Sequence, residues 1–478
     1  MMSQLSHFNT TYLTLPQKFY TKEVPLSTSK PKLLYFNENL AKALEFSEYD
    51  VKRWKEDYYS MRHLPEESAL ISQSYMGHQF GYLTMLGDGR ALLLGEVLSQ
   101  DRQRFDIQYK GSGRTAFSRG GDGKATLGPM LKEYLFSEAM YQLGIPTARS
   151  LSVALTGDTV YRDKPLQGAV LTRVASSHLR IGTFQFAAYQ GSINDLKSLA
   201  DYAMERHYPK VVRTQQPYLA FYREVVKAQA HTIALWMAYG FIHGVMNTDN
   251  MTISGESIDY GPCAFIDKFD LKAVYSSIDT QGRYAFGNQK DIGKWNLARF
   301  AEALVPLIHG EGKKATELLT SVLEDYDAYF EKTYYQTLAK RLGLLTYEAE
   351  DDDLIWSFLK TMEAVPLDYH NVFLDLTFDT VNKHEYQNNT FEIWLKRWQN
   401  RVASQDSETM LHLMKSTNPA LIARNYWVDQ AISLAEKGDF SLYEALYQAL
   451  SDPFAHAAYQ NRFQHVPANF DYVTYCGT

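Results

Sequence analysis

His243-Gly244-Val245-Met246-Asn247-Thr248-Asp249-Asn250, followed by Asp259-Tyr260-Gly261, is the stretch on which the reading of this chain turns. A histidine opens it, an asparagine closes the loop, and an acidic residue before Tyr-Gly comes next. Asn250 and Asp259 offer oxygen ligands suited to a hard cation such as magnesium, which binds through few protein groups when nucleotide phosphates complete its shell. Val245, two positions after the histidine, has a side chain that can neither take nor give a proton.

The spacing is that of a kinase catalytic loop, H-R-D-x-x-x-x-N and then D-F-G. There the first Asp positions the attacking hydroxyl, while the Asn and the last Asp hold metal on the nucleotide. Here Val245 stands where the base belongs, so the site either does nothing or does different chemistry. The plainer alternative makes Asp249 and Asn250 turn residues and Asp259 a strand-end cap. It does not account for His, Asn and Asp-x-Gly falling in this order after a helix.

Working outward, residues 75–174 alternate short apolar runs with glycine turns, as sheet-forming sequence does. Ala91 to Val97 and Phe105 to Tyr109 read as strands, as do Ser150 to Leu155 and Gly168 to Val174. Met130 to Leu143 carries Leu131, Leu135, Ala139 and Leu143 at helical spacing and is closed by Gly144 and Pro146, which predicts a helix. Helical patterns follow at Asp195 to Arg206, Tyr218 to Tyr239, Trp295 to Ile308, Ala315 to Leu342, Leu354 to Met362, Phe391 to Val402 and Ala420 to Gly438. The longest apolar run, Thr232 to Met246, reads as a buried helix, too short for a membrane span.

This pattern predicts an α+β chain with a protein-kinase-like bilobal fold and a helical C-terminal extension. The expected divisions are an N-terminal extension at 1–74, a sheet-containing lobe with nucleotide-binding loops at 75–185, a helical lobe with the catalytic and metal loop at 186–310, and the helical extension at 311–478.

Several residues upstream acquire meaning from that order. Gly87-Asp88-Gly89-Arg90 precedes the first strand, where glycines let backbone amides approach phosphate oxygens and an arginine adds a fork of donors. Alone, a Gly-Asp-Gly cluster is an ordinary hairpin turn. Lys110 ends a strand and Glu133 lies in the next helix, the order in which kinases place a phosphate-binding lysine and its partner. Between them run Gly111-Ser112-Gly113-Arg114 and Gly120-Gly121-Asp122-Gly123-Lys124, a polar loop that kinases lack and that suggests more phosphate gripped in the cleft. Arg173 and Arg180 flank the junction of the sheet and helical regions and could clamp a triphosphate, although salt-bridge duty is the ordinary role of an arginine.

Composition limits the alternatives. The 478 residues are 45% hydrophobic and 22% charged, with a formal charge of -7, which argues against a chain-wide footprint for nucleic acid or an anionic membrane. The N-terminus has no signal-peptide pattern, and two cysteines, Cys263 and Cys476, are too few for a disulfide framework or a thiolate metal site. A soluble, cytoplasmic enzyme is the expectation, with no nucleic-acid or membrane partner.

The chain resembles the selenoprotein O (SelO, also YdiU) family of protein adenylyltransferases. The resemblance rests on Gly77-His78-Gln79-Phe80-Gly81, Leu86-Gly87-Asp88-Gly89-Arg90, Ser137-Glu138-Ala139-Met140, His243 to Met251 and Asp259-Tyr260-Gly261-Pro262. Gly282-Arg283-Tyr284 and Asn418-Pro419-Ala420 extend it. It implies that ATP binds inverted relative to a kinase, with the outer phosphates buried and the α-phosphate presented to the protein substrate. Gly87, Gly89, Arg90, Lys110, Asp122, Gly123, Arg173, Arg180 and Asp259 would contact the nucleotide, and Glu133 would pair with Lys110. Asn250 and Asp259 would hold Mg2+ or Mn2+, and Asp249 would accept the proton. The activity implied is AMP transfer from ATP to Ser, Thr or Tyr hydroxyls of proteins, with UMP transfer from UTP also known in bacterial members. Some members carry a regulatory cysteine pair; here Cys476 fills the terminal position, while Tyr275-Ser276-Ser277 stands where others have a cysteine, leaving Cys263 the only possible partner.

Two other readings remain at this level: a nucleotide-binding pseudokinase scaffold, and an ordinary phosphotransferase with Asp249 in place of the lost base.

Overall fold

A computed structural model of the chain describes residues 8–474, apart from 66, 100, 382–385, 468, 469 and 471. The strands are β1 (Tyr20–Lys22), β2 (Lys32–Phe36), β3 (Ile71–Gln73), β4 (Met76–Gln79), β5 (Tyr82–Met85), β6 (Ala91–Leu98), β7 (Arg104–Lys110), β8 (Ala125–Thr126), β9 (Arg149–Tyr161), β10 (Pro165–Ala175), β11 (Phe241–Ile242) and β12 (Ala264–Phe265). The helices are α1 (Glu38–Ala43), α2 (Glu48–Glu56), α3 (Leu127–Gln142), α4 (Ile181–Gln190), α5 (Ile193–His207), α6 (Pro217–Tyr239), α7 (Gln289–Ile308), α8 (Gly312–Glu324), α9 (Tyr326–Arg341), α10 (Asp351–Ala364), α11 (Tyr369–Thr377), α12 (Asn389–Val402), α13 (Ser407–Thr417), α14 (Asn425–Ala435) and α15 (Ser441–Leu450).

The main sheet runs β1-β3-β6-β7-β10-β9-β2, with β8 joined to β10, and its pairings are antiparallel. Strands cluster in the first 175 residues and helices dominate the rest, which is an α+β arrangement. β1, β2 and β3 come from the first 74 residues and belong to this sheet, so the expected N-terminal extension is woven into the expected sheet region.

Period-two alternation decides what each sheet face carries. Ile107 and Tyr109 of β7 and Val170 and Val174 of β10 point to one face, where they pack with Leu40, Leu44, Trp54 and Tyr58 from the α1–α2 region. Fully burying a side chain such as Leu44 contributes roughly 1.5–3 kcal/mol. On the opposite face Leu171 joins the larger core with Leu131, Leu135 and Ala139 of α3. The polar residues of that second face form the site.

Three predicted helices end differently. The apolar run from Thr232 does not continue as helix to Met246: Gly240 takes φ +76 as a left-handed cap, and β11 follows. The stretch predicted as one helix from Ala315 to Leu342 is two, α8 and α9, divided at Asp325. Ala420 to Arg424 precede α14 rather than starting it. Arg424 is drawn into the interior, where its guanidinium lies 2.9 Å from Asp267 Oδ1 and 2.7 Å from Asp368 Oδ2, and these ion pairs hold the segment out of the helix. No helix among the described residues is long and apolar enough to cross a membrane.

Candidate active site

Lys110, Gln108 and Arg173 share the α3 face because Leu171 pairs with Lys110 and Arg173 with Gln108 across β7 and β10. Lys110 Nζ donates to Glu133 Oε2 at 2.5 Å and to Asp259 Oδ1 at 2.6 Å. Arg173 Nε donates to Glu133 Oε1 at 2.9 Å, so one carboxylate from α3 bridges two cations. The Lys110 and Glu133 side chains are 6% and 4% exposed, whereas Asp259 is 36% exposed and open to a ligand. Burial pushes both carboxyls up, but Arg173 and Lys110 outweigh it at Glu133, and Lys110, Arg173 and Arg90 outweigh it at Asp259. Both are therefore held below the usual carboxylate range and stay ionised.

Asp259 sits at φ +65, in the left-handed region that non-glycine residues seldom occupy. His243 helps hold its approach: the ring Nε2 lies 3.1 Å from the Ile258 carbonyl, while the His243 N–H donates to Gln289 Oε1 at 3.0 Å. Burial lowers the pKa of this histidine, favouring the neutral ring. Val245 is buried and serves through its backbone, its carbonyl accepting from Asn250 Nδ2 at 2.9 Å. That bond uses the amide nitrogen of Asn250 and leaves its oxygen as the potential ligand.

Asp249 lies under the β4–β5 hairpin. A Cβ added to Gly77 would fall 2.2 Å from Asp249 Oδ1, and one added to Gly182 would fall 1.9 Å from the Met76 carbonyl, so both glycines are required by close approach. Asp249 Oδ1 is buried with no hydrogen-bond partner. Burial pushes this carboxyl up to about 6, the opposite direction from Asp259. Two nearby carboxyls with opposed shifts are the arrangement in which one stays a fixed anion and the other exchanges a proton near neutrality.

Arg180 stands at the entry of α4, its guanidinium 4.2 Å from the centroid of the Tyr75 ring and 3.6 Å from Asp88 Oδ1. Asp88 is buried, and its other oxygen accepts from the Gln73 N–H at 3.1 Å and from Gln108 Nε2 at 3.2 Å. It thereby ties the first glycine turn to the sheet and to Arg180. Gly87 and Gly89 pack against the second loop, since an added Cβ would meet the Phe117 ring at 2.3 Å and the Phe117 carbonyl at 3.0 Å respectively. Arg90 places its carbonyl on the Gly111 N–H at 2.7 Å and lines a cavity of about 270 Å3 together with Lys110, Glu133 and Asp259.

Asp122 and Gly123 stand apart from this cluster. Asp122 is 42% exposed and its carboxylate takes both ends of the Arg162 guanidinium at 2.9 and 3.0 Å. Gly123 is needed because a Cβ would fall 2.0 Å from the Gly113 carbonyl. The structure thus brings together Lys110, Glu133, Arg173 and Asp259 by direct bonds, sets Arg90 beside them, and links Arg180 through Asp88. Four cations, Arg90, Lys110, Arg173 and Arg180, face Asp88, Glu133, Asp259 and the neighbouring Asp249, so basic and acidic groups are matched in number.

The donor set fits a hard divalent ion. The Asn250 oxygen and the partly exposed Asp259 carboxylate are two oxygens free to serve as ligands, and among the described residues there is no group of three or more His, Cys, Asp or Glu able to enclose a metal unaided. Two protein oxygens plus ligand phosphates is the arrangement magnesium favours. Cys263 is fully buried, and burial pushes its thiol up to about 12; Cys476 lies outside the described residues.

Several supporting residues escaped the sequence reading. Gln289 Nε2 donates to the Phe241 carbonyl at 2.9 Å and Asn296 Nδ2 to the Met246 carbonyl at 2.8 Å, fixing β11 and the loop after it to α7. Thr248 Oγ1 donates to Gln185 Oε1 at 2.7 Å and accepts from the His78 N–H at 2.7 Å, fixing it to α4 and the hairpin. Single polar residues on buried helix faces carry no local signal. Gly77 had one, its place in the Gly77–Gly81 cluster.

Comparison with known proteins places this geometry. A family model described as "Protein adenylyltransferase SelO" matches residues 2–451. A "Protein nucleotidyltransferase YdiU" of Bacillus cereus is 49% identical over 474 residues, covering 98% of this chain and 97% of the relative. One of Bacillus thuringiensis with the same description is 48% identical over 479 residues, covering 99% and 98%. The chain therefore belongs to the SelO family and is, by that membership, a nucleotidyltransferase.

Proposed function

We propose that this protein transfers AMP from ATP to Ser, Thr or Tyr hydroxyls of other proteins and releases pyrophosphate, with UMP transfer from UTP as a second activity of the same site. The observation that carries the reading is the pairing of a valine at the base position with Asp249 four residues later, a partly buried residue whose buried Oδ1 has no partner. In this reading the fold is kinase-like and bilobal, the sheet forming one wall of the cleft and the helices from α4 to α7 the other.

Asn250 and Asp259 would hold Mg2+ or Mn2+, which when bound neutralises phosphate charge. Lys110 and Arg173, oriented by Glu133, and Arg90 and Arg180 bind the outer phosphates and thereby stabilise the departing pyrophosphate. Placing and neutralising charge is the main term in phosphoryl-type transfer. Asp249 takes the proton from the acceptor hydroxyl as its oxygen bonds to the α-phosphorus and the bond to pyrophosphate breaks. Lys110 does not need to move to serve the nucleotide, since its ammonium group is already fixed between Glu133 and Asp259.

Incubation of the purified chain with a cell lysate, each nucleotide and each metal, followed by peptide mass spectrometry, tests this. Adenylyl adducts on Ser, Thr or Tyr are expected with ATP, and uridylyl adducts with UTP. Phosphate adducts in their place would contradict the reading.

A further inference from the structure

Outside the nucleotide cluster, the described residues place a second cationic feature beside the catalytic loop. Arg283 and Arg299 both lie against the ring of Trp295, their guanidinium carbons 4.8 and 4.9 Å from its centroid. The ring of His78 meets the same tryptophan edge-on at 5.2 Å. A guanidinium stacked on an aromatic ring spends its face on the contact and keeps its N–H edge for a planar anion.

The patch is physically continuous with the loop that carries Asp249. Tyr284 OH donates to Asn247 Oδ1 at 2.6 Å, and the Phe80 N–H donates to the same oxygen at 3.1 Å. The Phe80 and Tyr284 rings pack at 5.1 Å, and an added Cβ on Gly81 would lie 3.8 Å from the Arg283 guanidinium carbon. Arg283, the hairpin and the catalytic loop are therefore one assembly.

Charge at the patch is poorly compensated. The Nε atoms of Arg283 and Arg299 are both buried with no hydrogen-bond partner. Among the described residues Arg283 makes no ion pair with a carboxylate and Arg299 pairs only with Glu302, itself 51% exposed, at 2.7 Å. The chain as a whole is acidic, at -7, so a two-arginine surface beside the catalytic loop runs against the prevailing charge. Burial lowers the pKa of His78 first, and Arg299 and Arg283 lower it further, as a positive local field requires.

We propose that Arg283 and Arg299, braced on Trp295, dock a carboxylate-bearing segment of the acceptor protein and so select hydroxyls that lie close to acidic residues. The identification of the occupant as an acceptor rests on the transferase reading; the anion selectivity of the surface does not. Fork-shaped pairing of guanidinium with carboxylate supplies both affinity and direction, and the partial exposure of the patch keeps the gain moderate and dependent on salt.

The test uses the full chain and two dye-labelled peptides, each with one serine, flanked by four glutamates in one and by four glutamines in the other. Fluorescence anisotropy at low salt should show the acidic peptide binding about tenfold more tightly. Arg283→Gln with Arg299→Gln should abolish that preference, and Arg299→Gln alone, on the surface of α7, should reduce it. Affinity for a fluorescent ATP analogue should not change in any of these variants, which also reports that they are folded. Equal affinity for the two peptides, or a preference retained in the double variant, would overturn the proposal. Acid-selective binding without any nucleotidyl transfer would refute the transferase reading and leave the surface standing; transfer without acid selectivity would do the reverse.

Discussion

Asp259→Asn is expected to lower AMP transfer about a thousandfold, the scale on which loss of one well-placed charge-stabilising group acts in a closed site. The substitution isolates the carboxylate. Asparagine tolerates the left-handed conformation that Asp259 adopts at φ +65, so the loop keeps its path. Lys110 retains Glu133 at 2.5 Å, so the buried lysine is not stranded, and thermal unfolding should shift by no more than a few degrees. What is lost is the anion that fixes Lys110 from the loop side and, on the proposed reading, the charged oxygen that would hold metal together with Asn250. Steady-state transfer measured with and without a chelator checks this: the variant should already sit near the chelated level of the parent. Full activity in the variant would remove Asp259 from the metal site.

Asp249→Asn is expected to reduce the rate by about 10²–10⁴-fold, the usual range for removing a general base, with ATP binding intact. The replacement has the same shape, so the close contacts with Gly77 and Gly182 persist. It also exchanges a carboxylate with a buried, unpartnered Oδ1 for a neutral amide, which costs less to desolvate. The variant should therefore unfold no earlier than the parent while losing its rate, a separation of stability from activity that a merely structural Asp249 would not give. Calorimetry and single-turnover transfer on the same preparation provide both readouts, and an unchanged rate would assign the proton to another group.

The order of the site was legible because it is written in local spacing. His243, Asn250 and Asp259 are set by one loop, and Lys110 and Glu133 fall at a strand end and in the helix that follows. Their pairing needs only that α3 pack on the sheet face to which Lys110 points. The β1–β3 strands were not legible, since strands of three to five residues are too short to show a sustained alternation. Helix α4 was missed for the opposite reason: seven of its residues, Ile181 through Ala187, are buried without interruption, so no polar face marks a helical period.

The two glycine loops illustrate what spacing leaves out. Gly87, Gly89 and Gly123 read as room for phosphates, yet each is also demanded by close contact with Phe117 or Gly113, a tertiary requirement without a sequence signature. Asp88 was passed over between two glycines, although its burial against Gln73, Gln108 and Arg180 makes it the joint of the cluster. Likewise, Val245 read alone suggests a dead kinase. The resemblance supplies Asp249 as the replacement base, and the structure adds its place beneath Gly77 with an unpartnered Oδ1.

The central claim is that the α-phosphate, not the γ-phosphate, is transferred to protein. Parallel incubations of the chain with lysate, divalent metal and ATP labelled at either the α- or the γ-position decide it. Label on protein from the α-position alone, abolished in Asp259→Asn, is the predicted result; label from the γ-position, or none from either despite ATP binding, would contradict it.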